Sequence, residues 1–347
     1  MVIFMTTLKE IAARCGCSVA TVSKALNFMP DIGAETAQKI REMANEMGYV
    51  PNAAARTLKT NRSHTIGLLM FLRGESVWLH DHFARVAAGI QEAIEAAGYD
   101  LTPVTCADEH LAGRYLEHCR HRGYDGVIVM SGTFNESGLQ ELVDSSIPLV
   151  TIDYAFPQHS AIFTDHAQGM RDLVRYAYDK GHRRIAYIYG MHGTVANTRL
   201  TAFQESCGSL GLQIPPEYIK PSLYRDLDAS AKATQELMAL PQPPTCIFYP
   251  DDYAYVGGMN VLMDMGLRIP EDISVAGYDG IPLAGLLRPK LTTVLQDGVA
   301  AGRSAGNELL RALNAPRAFV PQHITIPTTL IPGQSIRDLN NRFLTKG

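Results

Sequence analysis

The sequence predicts a small all-α head followed by an α/β body of two doubly wound parallel-sheet lobes. Three observations lead there. Apolar residues recur at helical spacing through the first fifty positions. From about residue 64 onward, short continuous apolar runs take turns with amphipathic stretches of helical period, the pattern of parallel strands covered by helices on both faces. Eight or more such runs in about 270 residues exceed one open sheet, so the body divides into two lobes with a cleft between them.

Composition bounds the rest. The chain has 347 residues, 46% hydrophobic and 19% charged, with 29 glycines and 19 prolines. These are ordinary globular proportions, which exclude disordered and collagen-like chains. No apolar run approaches the roughly eighteen residues of a spanning helix. The apolar start, residues 1–5, is short and runs into charged, helix-periodic residues 9–14, unlike a secretory leader. A soluble, cytoplasmic protein without a membrane partner is expected. Six cysteines without a CxxC pair suit scattered reduced thiols rather than a disulfide framework or zinc site. Residues 1–62 carry eight basic against five acidic side chains, net +3, while the remainder carries 23 against 30, net −7. A basic head on an acidic body points the head toward a polyanion.

In the head, Thr7-Leu8-Lys9-Glu10 reads as a capping box. Leu8, Ile11, Ala12 and Cys15 then form one apolar helix stripe, which Gly16 ends where a tight turn needs positive φ. Ser18 caps a second helix with Val22, Ala25 and Leu26 inward. A third stripe of Ile40, Met43, Ala44 and Met47 closes at Gly48. Three helices of about two turns each make a minimal helix-turn-helix bundle. The plain alternative is a helical cap packed on the body. Against it, the outward face of the second helix, Val19, Ala20, Thr21, Ser23 and Lys24, is small or basic and suits close approach to DNA.

The run Thr7-Leu8-Lys9-Glu10-Ile11-Ala12, continued by Gly16-Cys17-Ser18-Val19-Ala20-Thr21-Val22-Ser23-Lys24-Ala25-Leu26-Asn27, resembles the head of the LacI/GalR family of bacterial transcription regulators. Gly48-Tyr49-Val50-Pro51-Asn52-Ala53-Ala54-Ala55-Arg56-Thr57-Leu58 is similar to that family's hinge segment, at the right separation. The resemblance implies a head over residues 1–50 and a hinge helix with linker over 51–63. An effector-binding and dimerisation domain follows over 64–340. Its N-lobe is about 64–163 and 293–325, its C-lobe about 164–292 and 326–340.

The resemblance also implies roles. Val19 and Ala20 would be the main specificity positions, reading bases by apolar contact, for instance with thymine methyls. Thr7, Leu8, Ser18, Thr21, Ser23, Lys24, Asn27, Tyr49 and Asn52 would complete the DNA surface with phosphate and some base contacts. Gly33 stands where relatives often carry a hydroxyl that caps the third helix and touches phosphate. Residues 53–58 are too few for a helix stable alone. In relatives this segment folds when two copies meet over the minor groove. Leu58 would wedge into the central base step, with Arg56 and Lys59 holding the flanking backbone.

Strands are predicted at 65–71, 100–104, 126–130, 149–153, 185–189, 245–249, 273–278 and 292–295, with helices between them such as 83–97 and 167–180. Body motifs such as Gly181-His182-Arg183-Arg184-Ile185-Ala186 and Ser274-Val275-Ala276-Gly277-Tyr278-Asp279 are similar to the family's periplasmic-binding-protein-like fold. That fold implies chain crossings near 163, 292 and 326. By the same resemblance, Arg199 and Asp279 are the effector-contacting arginine and aspartate, a pair that suits neighbouring hydroxyls of a sugar or nucleoside. Tyr224 matches a position that is aromatic in several relatives. Asp251 stands where relatives usually carry asparagine; beside Asp252 it makes an acidic pair that favours a polyol or a cation. His82 and Phe83, after the first strand, and Gln296, after the last crossover, complete the effector set. Plainer roles compete: a strand-end cap for Asp279, a surface helix position for Arg199, and a core or interface role for the single tryptophan, Trp78.

Enzyme readings find no support. No GxGxxG or P-loop follows a strand, no Gly-x-Ser-x-Gly elbow is present, and the histidines form no paired metal pattern. No cofactor, metal or catalytic residue is assigned. His182 could be pictured as a base, but it sits at a helix-to-strand turn. The expected protein is a homodimeric repressor of a pseudo-palindromic operator in double-stranded DNA, released by a sugar-like effector. The alternatives are a corepressor-dependent regulator with a nucleobase or nucleoside effector, and a sugar-binding protein or enzyme that does not bind DNA. The tail after Pro332 is too short for three heptads, which favours a dimer over a larger assembly. Met5-Thr6-Thr7-Leu8 resembles a natural family start, so residues 1–4 are expected to be disordered or absent from the native product.

Overall fold

Three helices make the first unit: α1 (Leu8–Cys15), α2 (Val19–Leu26) and α3 (Ala34–Glu46). The capping box forms as the sequence requires. The Thr7 hydroxyl accepts from Glu10 N at 3.4 Å, and the Glu10 carboxylate accepts from Thr7 N at 2.7 Å. Gly16 sits at φ 65° and turns the chain into α2, where Ser18 Oγ accepts from Thr21 N at 3.1 Å. Ile11, Ala12, Val22, Ala25, Ala37, Ile40 and Ala44 fill the core. At thirteen residues α3 is longer than the two turns its stripe predicts, because Ala34–Lys39 continue a helix of good formers. Gly33 leaves its start without a side-chain cap.

The computed structural model describes residues 6–26, 29, 31–49, 62–70, 80–104, 114–131, 134, 137–191 and 193–340. The chain divides into two units, Met1–Ser63 and His64–Gly347. The readings of residues 1–4, Asn27, Asn52, the hinge with Arg56, Leu58 and Lys59, and Trp78 lie outside the described residues.

The second unit alternates strands and helices throughout. In chain order they are β1 (Thr65–Met70), α4 (Asp81–Glu95), β2 (Asp100–Val104), α5 (Tyr115–Arg122), β3 (Gly126–Ser131), α6 (Ser137–Val143), β4 (Leu149–Ile152) and β5 (Ser160–Thr164). There follow α7 (His166–Asp179), β6 (Ile185–Gly190), α8 (Thr194–Ser209), β7 (Ile219–Ser222), α9 (Leu227–Met238), β8 (Cys246–Phe248), α10 (Ala254–Asp264), β9 (Ser274–Ala276) and α11 (Pro282–Leu286). The chain ends with β10 (Thr293–Gln296), α12 (Gly298–Asn314), β11 (His323–Ile326) and β12 (Thr328–Ile331). The first lobe is a parallel sheet in the order β11-β5-β4-β3-β1-β2, and the second a parallel sheet in the order β7-β6-β8-β9. An antiparallel pair, β10 and β12, makes a third, two-stranded sheet. The chain leaves the first sheet after β5, returns through β10 into α12, and leaves again between β11 and β12.

Four strands, β5, β7, β11 and β12, were not among those the apolar runs predict. Each has only four or five residues and mixes in Ser, Thr, Lys or His, so none carries an apolar run longer than three residues. The predicted runs 245–249 and 273–278 shorten to Cys246–Phe248 and Ser274–Ala276, since the chain turns beyond them.

The tail packs on the second lobe. Ile336 is buried in its core, Ser335 Oγ donates to Val275 O at 2.7 Å, and Leu339 N donates to Lys180 O at 2.7 Å. His182 fastens the same segment, with Nδ1 3.0 Å from Thr245 Oγ1 and Nε2 3.1 Å from the Arg337 carbonyl, a structural part rather than a base. Burial holds this imidazole down to about 4, against a usual 6.5. Between those values the unfolded chain binds a proton that the folded protein refuses. The stability from this group is complete above pH 6.5 and is lost as pH falls to about 4. At ~1.4 kcal/mol per unit, the full loss is on the order of 3 kcal/mol. Urea melts at pH 7.5 and pH 5 should therefore show wild type losing more stability than His182→Gln; equal losses would contradict the assignment.

Candidate effector cleft and nucleic-acid interface

On the head, the N-terminal half of α2 is presented to solvent. Val19 is 40% exposed, and Ala20 and Lys24 are exposed beside it. Ser18 and Thr21 face each other at 2.8 Å between hydroxyls, while Thr7 is committed to its capping box. Ser23 is half-buried, and Leu8 and Tyr49 lean on the head core. Lys24 Nζ lies 2.5 Å from Asp31, an exposed pair of little net worth.

In the body, strand ends converge on one buried polar cluster. Arg199, on α8, is 2% exposed. It donates to the Pro250 carbonyl at 3.1 Å and to His166 Nδ1 at 3.3 Å, and its Nη2 lies 3.8 Å from Asp279 Oδ1. Its guanidinium stacks 3.7 Å over the Tyr278 ring and lies 5.7 Å from that of Tyr224. Burial alone would lower its basicity, but Tyr224, Tyr278 and Asp279 outweigh that and hold the cation charged. Asp279 follows β9 at φ 98°, and its Oδ1 accepts from Gln296 Nε2 at 2.5 Å. Gly190 ends β6 directly against the Tyr224 ring; a Cβ there would come within 2.5 Å of it. The aromatic seat therefore depends on a residue with no side chain.

From the first lobe, His82 on α4 is buried within reach of the Asp279 and Asp153 charges. Burial drives its imidazole down to about 4, with Asp279 and Asp153 pulling the other way, so the ring is neutral at pH 7. Phe83 is half-buried against the first-lobe core, its ring 5.5 Å from that of His82. Among the described residues of this cluster, His82 Nδ1, His166 Nε2, Tyr224 Oη and Gln296 Oε1 are buried without a hydrogen-bond partner. Such atoms cost about 1–3 kcal/mol each unless a guest supplies the missing bonds.

The structure thus brings His82, Arg199, Tyr224, Asp279 and Gln296 together. It gives Asp251 to the backbone instead: the carboxylate accepts from Arg225 N at 2.7 Å, Tyr253 N at 2.8 Å and Ala254 N at 2.7 Å, at the start of α10. Burial, and then the Asp279 charge, push its carboxyl up to about 6. Asp252 is also occupied, by Thr293 Oγ1 at 2.5 Å and Ile281 N at 2.9 Å. The acidic pair is framework for the loops around the cleft. Two members escaped the sequence reading, Asp153 and His166. Asp153 ends the β4 run, a strand-end acid that spacing already exposed. His166 follows β5, a strand with only three apolar residues in a row, so its place at a crossover was hidden.

Comparison with known proteins agrees with this architecture. Residues 7–52 match the family described as bacterial regulatory proteins, lacI family, and residues 174–336 match the periplasmic binding protein-like domain. The chain is 32% identical over 318 residues to the probable HTH-type transcriptional repressor ExuR of Bacillus subtilis (strain 168), covering 90% of this chain and 93% of that protein. It is 30% identical over 331 residues to the ribose operon repressor of Haemophilus influenzae, covering 94% and 98%. Among solved structures, the lac repressor dimer bound to operator and the anti-inducer ONPF superposes with a TM-score of 0.81 at 22% identity, over 96% of this chain and 99% of that one. The complex of the regulator CelR with cellobiose superposes at 0.71 and 24% identity, over 95% and 99%. With its head, its two-lobed body and two long repressor relatives, this chain belongs to the LacI family of bacterial DNA-binding transcriptional regulators.

Proposed function

We propose that the protein is a homodimeric repressor, working on chromosomal DNA in the cytoplasm, that two heads anchor to a pseudo-palindromic operator and a sugar-like effector releases. The observation that carries the effector assignment is the ring of unpartnered buried atoms, His82 Nδ1, Tyr224 Oη and Gln296 Oε1, around the Arg199–Asp279 pair. These groups offer acceptors and donors at several angles within an aromatic-walled site, which suits a polyhydroxylated ring. Effector binding resets the two lobes and with them the spacing of the paired hinges, a coupling typically of ~1–3 kcal/mol. Val19, Ala20 and the basic α2 surface are assigned to the major groove, and Leu58 to the central minor-groove step.

One titration tests both halves. Operator affinity is measured for wild type and Leu58→Ala, with and without D-galactose, D-ribose, D-glucuronate, sucrose, cellobiose and hypoxanthine. Leu58→Ala should bind operator at least about tenfold more weakly, or ~1.4 kcal/mol; equal affinity would defeat the wedge. A sugar that weakens wild-type binding supports the inducer reading. Tightening by hypoxanthine would replace it with a corepressor mechanism.

A further inference from the structure

We infer that His166 is the inter-lobe relay of this regulator, a positioning residue that joins the effector arginine of the second lobe to an aspartate of the first. The inference rests on the reading of the cleft as an effector site. His166 is the first residue of α7, one position beyond the segment that leaves β5, and its surroundings pin it there. Asp165 N donates to Ile326 O at 2.9 Å, and Thr328 Oγ1 donates to Asp165 O at 3.2 Å, so a second crossing segment braces the same point. Tyr278 Oη donates to the His166 carbonyl at 3.3 Å.

The ring bridges two charged groups of different lobes. On one side, Arg199 Nε and Nη2 both point at Nδ1, each at 3.3 Å. A guanidinium has only donors, so Nδ1 must be the acceptor and the ring proton sits on Nε2. On the other side, Nε2 is buried without a hydrogen bond among the described residues and lies 3.4 Å from Asp153 Oδ2, while Asp153 Oδ1 accepts from Thr164 N at 2.9 Å and so is fixed at the end of β4. The result is a chain made at one end and open at the other, its members drawn from α8, the hinge and the end of β4. Arg199 is bonded to His166, and His166 Nε2 stands beside Asp153 without yet bonding it. The Arg199 end is short of ideal and the Asp153 end is a loose contact, so neither link is saturated. A guest that draws Arg199 toward its own oxygens weakens the donation to Nδ1. The ring is then free to close on Asp153, and occupancy of the second lobe becomes a torsion at the hinge. A hydrophobic residue of the same size would keep the packing but carry no such message.

Two measurements on the full-length protein decide this. The first needs no effector: a long-range ¹⁵N–¹H spectrum of histidine-labelled protein, with the His166 signals identified by their absence from His166→Phe and from His166→Gln. The Nε2-protonated tautomer is expected; a proton on Nδ1 would overturn the relay. The second is operator affinity at saturating concentrations of whichever of the five sugars named above releases wild type. The ratio of affinities without and with sugar should fall from about tenfold to under about twofold in His166→Phe. In His166→Gln, whose amide keeps one acceptor and one donor, most of the ratio should return. An unchanged ratio in His166→Phe, or no better response in Gln than in Phe, would reduce His166 to a packing residue. Should no sugar move wild type, the effector reading fails while the tautomer still decides the relay.

Discussion

Arg199→Ala should abolish the effector response while ligand-free operator affinity stays within about threefold of wild type. The guanidinium is the one cation inside the described cluster, and it touches four of its walls: Pro250, His166, Asp279 and the Tyr278 face. Its loss removes the stacked donor fork that a hydroxylated ring would meet, and it leaves the Asp279 carboxylate with Gln296 alone. Charge-assisted hydrogen bonds in a desolvated site contribute about 1.5–3 kcal/mol each. Losing two of them weakens effector binding by at least about a hundredfold. Arg199→Lys keeps the charge without the planar fork and should recover only part of this. The helix-turn-helix head proposed to bind operator belongs to the other unit of the chain, so apo binding is expected to change little. A thermal-shift titration with the releasing sugar, beside an operator titration, checks both statements. A normal sugar response in Arg199→Ala would mean that the effector binds elsewhere.

How far the sequence reaches is itself set by physics. The head was legible almost completely, because capping, a left-handed glycine and i, i+3, i+4 stripes are local rules that three short helices obey. The body's long apolar strands were equally plain, since parallel strands covered on both faces must be apolar along their length. The crossover strands β5, β10 and β12 lie where the lobes meet, and of these only β10 was found. β5 and β12 are short and mix threonine and serine with apolar residues, and β12 is in addition only half-buried, so neither leaves a long apolar run. His166 was lost with β5. Asp251 shows the complementary failure. A strand-end acid beside a cleft is chemically suited to a ligand, but which of its oxygens are already taken depends on backbone N–H groups at residues 225, 253 and 254, the first of them 26 residues away along the chain. Residue type and position alone do not carry that information.

Gly302→Val should be among the most damaging substitutions in the body, although the glycine touches no site residue. A helix pays roughly 1 kcal/mol for each interior glycine relative to alanine, yet α12 carries Gly298, Gly302 and Gly306 four residues apart on one face. The reason is the approach of α4. A Cβ at Gly302 would lie 1.9 Å from the Val86 carbonyl oxygen and 2.8 Å from Ile90 N. The partner helix answers with Gly89, whose Cβ would lie 2.1 Å from the Val299 carbonyl oxygen. These obstacles are backbone atoms, so no rotamer change relieves them; the helices must separate and open the core of Val86, Ile90, Ala301 and Ala305. Overpacking of this kind costs about 1–3 kcal/mol when side chains yield, and with backbone in the way the upper end or beyond is expected. The displacement also reaches function: α4 begins at Asp81 with His82 as its second residue, and Gly298 packs 3.1 Å from the His82 carbonyl oxygen by the same measure. Urea melts should therefore show a loss of about 3 kcal/mol or more for Gly302→Val, with weakened sugar binding in whatever remains folded. Gly208→Ala is the control. It lies inside α8 with nothing within 4 Å of the added Cβ, and should stabilise by about 0.5–1 kcal/mol through helix propensity alone. If the two substitutions behaved alike, close backbone packing would not be what these glycines are for.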